Sequence, residues 1–229
     1  MIEFLRKRSF STSMVVLVLL LIMAVQGSIS YSTMFGRLAI FLPSFISHST
    51  PSAVWLAIRC ILIAGVILLW IVNRKLALFR AIILSNGVFT VGLVVNMLAL
   101  LDVLSGFSPK AVRSLLVDVI LMAVSNILIF SIWYWIIDPP GIGEDPREQD
   151  PWDFLFPQRA SIIPHYESWL PRYTDYLYLA FTTSFAFSPT DTLPLTRRAK
   201  LLMLLQSAIS IVTLTGIAGA AINILAGSG

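Results

Sequence analysis

Leu115–Ile137 reads LLVDVILMAVSNILIFSIWYWII, an apolar run with one charged residue, Asp118. A helix needs about 20 apolar residues to cross a hydrocarbon core ~30 Å thick, and this run is long enough. The pattern recurs on both sides of it. Further apolar stretches lie at about Ser13–Ser30, Ala53–Val72, Leu76–Leu101 and Leu201–Leu225. Five crossing helices are therefore expected. Composition agrees: the 229 residues are 57% hydrophobic and 12% charged, with mean hydropathy +0.86. Soluble domains carry about 25% charged residues. So few charges cannot cover a water-exposed surface, so lipid must cover much of this one, and there is no room for a separate soluble domain.

The net charge of +4 and pI near 9.5 do not indicate nucleic acid. The basic residues sit in short clusters between apolar runs. Such clusters set orientation or touch anionic lipid. The first span follows Arg6, Lys7 and Arg8, as a secretory signal would. Ala24-Val25-Gln26 is a poor cleavage site, so the span is expected to be retained. Cys60 is the one cysteine and lies in an apolar run, which excludes an intrachain disulfide. There is no internal repeat.

A sixth apolar segment, about Thr174–Phe187, is too short to cross. At 1.5 Å per residue it covers roughly 20 Å. Thr174 is the expected N-cap, with Asp175 in the first turn favoured by the helix dipole. Such a helix lies at the interface, or enters the membrane as a re-entrant pore helix where protein or a water-filled cavity covers its backbone ends. Before it, Asp138–Arg172 is polar and proline-rich, so no long helix is expected there. Glu144, Asp145, Glu148, Asp150 and Asp153 make it acidic, and interleaved aromatics fit a loop lying along the headgroups. Its carboxylates match no calcium-loop pattern and are expected to be solvated.

Loops alternate between two sides. One holds the N-terminal tail, Arg74, Lys75, Arg80 and the basic residues from Arg147 to Lys200; the other holds Arg37, Lys110 and Arg113. The positive-inside rule places the first side, and the N-terminus, in the cytoplasm.

From Tyr176 the chain reads YLYLAFTTSFAFSPTDTLPLTRRAKLLMLLQSAISIVTLTGIAGAAINIL. This resembles the pore-loop and inner-helix unit of the potassium-channel superfamily. In that family a short helix ends in Thr-Thr, a glycine-rich filter follows, and Asp-x-x-Pro-x-Thr precedes the inner helix. Thr182 and Thr183 match the first part, Asp191, Pro194 and Thr196 the last, and Gly216 the hinge glycine of many inner helices. With span four as outer helix the resemblance covers about Leu115–Leu225. It implies a channel-like hairpin at 111–229 beside a three-helix region at 1–110. It also implies several copies around an axis, four in the family, and a monovalent cation as the permeating species. Ser184, Ser188 and Thr190 fall in the pore loop on this alignment.

The chain departs from the family in its filter. Seven residues, Ser184–Thr190, replace the family's four, and no glycine occurs between Gly143 and Gly216. A carbonyl filter needs residues tolerant of positive φ, and Pro189 fixes a negative one. Potassium selectivity is therefore not expected. The charge count also turns the loop towards the cytoplasm, where the family's filter faces out. The segment TTSFAFSPTDTLPL further resembles one found in bacterial membrane proteins, which implies an inner-membrane location and says nothing of activity.

Arg59 and Asp118 are the charges well inside spans, at similar expected depth, and Asn96 joins that level. An intramembrane charge points to function, and a matched pair equally serves to hold helices together. Ser85, Gly92 and Asn96 share one helical face. On span five, Gln206, Ser210 and Thr213 share a face and are either pore-lining or interhelical hydrogen-bonding residues, with Gly216 and Ala220 forming a small-xxx-small pair. His48 and His165 are isolated, and no zinc spacing, nucleophile motif, phosphate loop or dinucleotide fingerprint occurs. No cofactor and no enzyme activity is expected. The expectation is an all-α polytopic membrane protein with about five spans and one re-entrant helix. Its leading function is a poorly selective cation pore; the alternatives are a non-conducting scaffold or accessory subunit and, third, a transporter.

Overall fold

The structure is a computed structural model, and it describes residues 9–29, 50–104, 112–138, 152–160, 169–186, 191–219 and 222. It is built from helices: α1 (Ser9–Gly27), α2 (Thr50–Ile71), α3 (Lys75–Leu104), α4 (Val112–Ile137), α5 (Pro157–Ala160), α6 (Tyr173–Ala186) and α7 (Arg197–Ser210). A π-helical segment, Ile211–Ile217, continues α7. Two short strands, β1 (Phe154–Leu155) and β2 (Leu193–Pro194), pair antiparallel, Phe154 opposite Pro194. All-α is therefore the right class, with this one small β-bridge added.

Three helices are long and apolar enough to cross a membrane among the described residues: Lys75–Leu101, Leu116–Ile137 and Arg197–Ile217. The apolar stretches found in α1 and α2, Thr12–Gly27 and Leu56–Ile71, are shorter. The third of the three starts at Arg197, before the expected Leu201.

α4 is the centre of the packing. It is 67% buried inside the protein, against 39% for α3 and 33% for the last span, and it contacts α1, α3, α6 and α7. Its polar residues Asp118, Ser125, Asn126 and Ser131 are buried along with its apolar ones. Its side chains Phe130, Ile132, Tyr134 and Trp135 are all fully buried. Lipid is as apolar as leucine, so close packing and interhelical hydrogen bonds, not water exclusion, hold such helices together. α6 makes its most extensive contacts with α4 and also touches α7.

Two helix ends are explained by their caps. α2 is closed by Asn73, which lies two residues past Ile71 and has φ 58°. Its N–H donates to the Trp70 carbonyl (3.2 Å) and the Arg74 N–H to the Leu69 carbonyl (3.1 Å). That is a Schellman cap with asparagine in the left-handed position. Asn73→Val should therefore lower stability by ~1–2 kcal/mol, the cost of a left-handed residue with a full side chain, while Asn73→Gly should be neutral or stabilising. Thermal unfolding in detergent measures both, and equal losses would show that the left-handed cap contributes nothing. At α6 the expected cap is corrected. The helix begins at Tyr173, so Arg172, not Thr174, is the N-cap position. Asp175 accepts the Arg172 N–H at 2.6 Å, the return half of a capping box. Burial pushes the Asp175 carboxyl up from its ordinary value, against the Arg172 backbone N–H and charge that pull it down.

Candidate functional site

Three polar residues on and just past α4, Asn126, Tyr134 and Asp138, fall at steps of eight and four. One helical face carries all of them, and α6 lies along that face. Tyr176, Ala180 and Ser184 meet it at steps of four. Two hydrogen-bonded networks result, one at each end of the stripe.

The inner network centres on Gln206 of α7. Its Nε2 donates to the Ala180 carbonyl and to Ser184 Oγ, both at 2.7 Å. Its Oε1 accepts the Tyr134 hydroxyl. A turn further, Asn126 Nδ2 donates to Ser210 Oγ at 2.8 Å and to the Gln206 carbonyl at 3.3 Å. Thr213 donates back to the Ile209 carbonyl at 2.8 Å, at the start of the π-helical segment. Gln206, Ser210 and Thr213 are all buried within the chain. The face expected to line a pore or bond between helices is thus turned towards α4 and α6 and used for bonding. Gly216 is exposed, and a Cβ there would meet nothing within 4 Å. No close helix approach depends on it.

The pore-loop residues differ in exposure. Thr183 and Ser184 are buried, and Thr183 donates to the Leu179 carbonyl at 2.8 Å. Thr182 is half-buried and bonds its own helix at Tyr178 and Leu179. Asp191 is exposed. Ser188 and Thr190 lie outside the described residues.

The second network caps the bundle. Asp138 Oδ1 accepts the N–H groups of Asp153 (2.9 Å) and Phe154 (3.2 Å). Its Oδ2 accepts Tyr176 Oη at 2.6 Å and Arg159 Nη1 at 3.2 Å. Asp153 takes a forked pair from Arg198, Nε at 2.7 Å and Nη2 at 2.5 Å, together with the Thr196 hydroxyl. Thr196 also caps α7 by accepting the Ala199 N–H. The Leu195 N–H donates to the Asp153 carbonyl at 2.9 Å. The expectation that Asp153 is solvated is therefore wrong: it is fully buried. Residues 152–160 fold over the ends of α4 and α6. Phe154 stacks edge-on to Tyr134 at 5.1 Å, Phe156 edge-on to Tyr176 at 5.6 Å, and Arg159 covers the Trp152 ring at 4.7 Å. Asp138 thus accepts four donors and Asp153 three. No group of three or more metal-ligating side chains occurs among the described residues.

Arg59 is buried against α1 and α3. A Cβ at Gly92 would fall 2.3 Å from Arg59 Nη2 and 3.1 Å from Gln26 Oε1. Glycine there makes room for the guanidinium. Gln26 Nε2 donates to the Phe89 carbonyl at 2.9 Å, and Arg59 Cζ lies 5.8 Å from the Phe89 ring centre. Ser85 and Asn96 are buried on the same α3 face, and Asp118 is fully buried on α4.

Sequence reasoning missed Gln26, Asn126, Tyr134, Asp138, Arg159 and Arg198. The four- and eight-residue spacing on span four was the available signal for the α4 members. Nothing local marked Arg159 or Arg198, whose partners lie 21 and 45 residues away. No known protein family, curated protein or solved structure matches the chain.

Proposed function

We propose that the chain is a non-conducting membrane scaffold or accessory subunit that keeps a channel-like hairpin as a rigid structural unit. In this reading α1, α2, α3, α4 and α7 cross the membrane, α6 is re-entrant, and the N-terminus is cytoplasmic in a bacterial inner membrane. The observation that carries it is the direction of the polar groups. Gln206, Ser210 and Thr213 point inward and bond within the chain. The outward faces of α6 and α7 present Tyr178, Phe181, Phe185, Leu201, Leu204 and Ile211. An ion path needs polar side chains, carbonyls or water along its wall, and an apolar face suits lipid or another apolar helix.

A second reading, a poorly selective cation pore in a homo-oligomer, is favoured by the π-helical Ile211–Ile217 segment in the inner helix. Single π turns inside helices often occur at functional sites. Reconstitution in liposomes separates the two. Scaffold function predicts monovalent cation flux no greater than in protein-free vesicles, unaltered by Thr183→Ala or Asp191→Ala. Flux that either substitution changes would replace the scaffold reading with the pore.

A further inference from the structure

At the corner where α1, α2 and α3 meet, a pocket of ≈ 70 Å³ opens to the surface. One water position needs only ~10–15 Å³, so there is room for a group larger than water. Thr12 and Ser13 of α1, Trp70 and Asn73 at the end of α2, and Lys75, Leu78, Phe79 and Ile82 of α3 line it. Among the described residues Lys75 is the one charged residue in the lining, and no acidic residue there offsets it. The candidate crossing stretch of α3 begins at Lys75, so with α3 read as a crossing helix the pocket sits where hydrocarbon gives way to headgroups. Arg74 and Arg80 flank it in sequence, and Arg6, Lys7 and Arg8 precede α1. Trp70 is 45% exposed at the same level, as interfacial tryptophans are.

The lining is two-sided. Hydroxyls, an amide, an ammonium and the positive end of the α3 dipole gather at the top, a setting that favours an anionic oxygen group. Leu78 and Ile82 are buried and stand one turn apart along α3, leading from the polar end towards the hydrocarbon. A free phosphate has no use for that apolar floor, whereas a phosphodiester carrying acyl chains fits both parts. We propose that this corner binds the headgroup phosphate of an anionic phospholipid, with Lys75 as its charge partner and Ser13, Thr12 and Asn73 as hydrogen-bonding groups. The proposal rests on the reading of α1, α2 and α3 as membrane-crossing helices. Basic pockets between transmembrane helices on the cytoplasmic side are where such headgroups are held.

The test is native mass spectrometry and thermal unfolding of the full chain in neutral detergent, with phosphatidylglycerol, phosphatidylcholine or inorganic phosphate added. Phosphatidylglycerol should remain bound and raise the unfolding temperature, while the other two should not. Lys75→Gln should weaken retention roughly fivefold, the effect of one basic residue near the surface. Ser13→Trp, a filling of the exposed rim, should abolish it without unfolding the chain. Arg172→Gln, outside the pocket, should leave it unchanged. Equal retention of both lipids, protection by inorganic phosphate alone, or an equal loss in Arg172→Gln would overturn the site. Carbonate extraction of native membranes separates the two levels of failure. A chain that stays in the pellet but shows no lipid preference overturns the site alone, and a chain that is released overturns the membrane reading with it.

Discussion

Asp138→Ala should be the most damaging single substitution in the described residues, lowering stability by ~3–5 kcal/mol, the range for removing one partner of a buried ion pair. Asp138 is fully buried and satisfies four donors from three parts of the chain. Its removal strands the Arg159 guanidinium, only 4% exposed, together with two backbone N–H groups and the Tyr176 hydroxyl. Asp153→Ala offers the contrast. Its partner Arg198 is 57% exposed and can turn to water, so that pair contributes less. Unfolding in mixed micelles should therefore rank Asp138→Ala well below Asp153→Ala. Equal losses would mean that burial of the arginine does not set the cost. Asp138→Asn keeps the shape and should fall between Asp138→Ala and the unsubstituted protein, because an amide can still accept one set of the donors.

Gln206→Met should cost roughly 2–4 kcal/mol, since interhelical hydrogen bonds in membranes contribute ~0.6–1.7 kcal/mol each. Three such bonds converge on this side chain, from Tyr134 and to Ala180 and Ser184. Methionine nearly preserves the volume, so the loss reports hydrogen bonding rather than a cavity. The change should loosen α6 in particular, because Gln206 is its tie to α7. Hydrogen exchange should then rise across Tyr173–Ala186 and stay unchanged across α3. A stability equal to that of the unsubstituted protein would show that the network is replaceable by packing. A double-mutant cycle with Ser184→Ala should give a coupling energy above zero.

That this chain holds helices long and apolar enough to cross a membrane is legible from the sequence alone, because the cost of exposing apolar residues to water acts residue by residue and needs no partner. The same holds for the helices themselves, which satisfy their backbone groups locally wherever an apolar run is long enough. The shortness of α6 and the polar faces of α3 and α7 follow from spacing. What a face touches does not. Gln206, Ser210 and Thr213 share a face in the sequence, yet whether it meets a pore or a neighbour depends on how α4 and α6 rotate against it. Asp153 looks like one of several loop carboxylates, and it becomes a buried anchor because Arg198 and Thr196 arrive from more than 40 residues away. Arg59 is visible as a charge within an apolar run, but the space for its guanidinium is made by a missing side chain at Gly92 on another helix. The sequence by itself determines what must leave water and which stretches must be helical, since those terms are local. Only the tertiary structure decides which polar groups satisfy one another, since a hydrogen bond in an apolar interior depends on the position of both partners and the sequence states only one at a time.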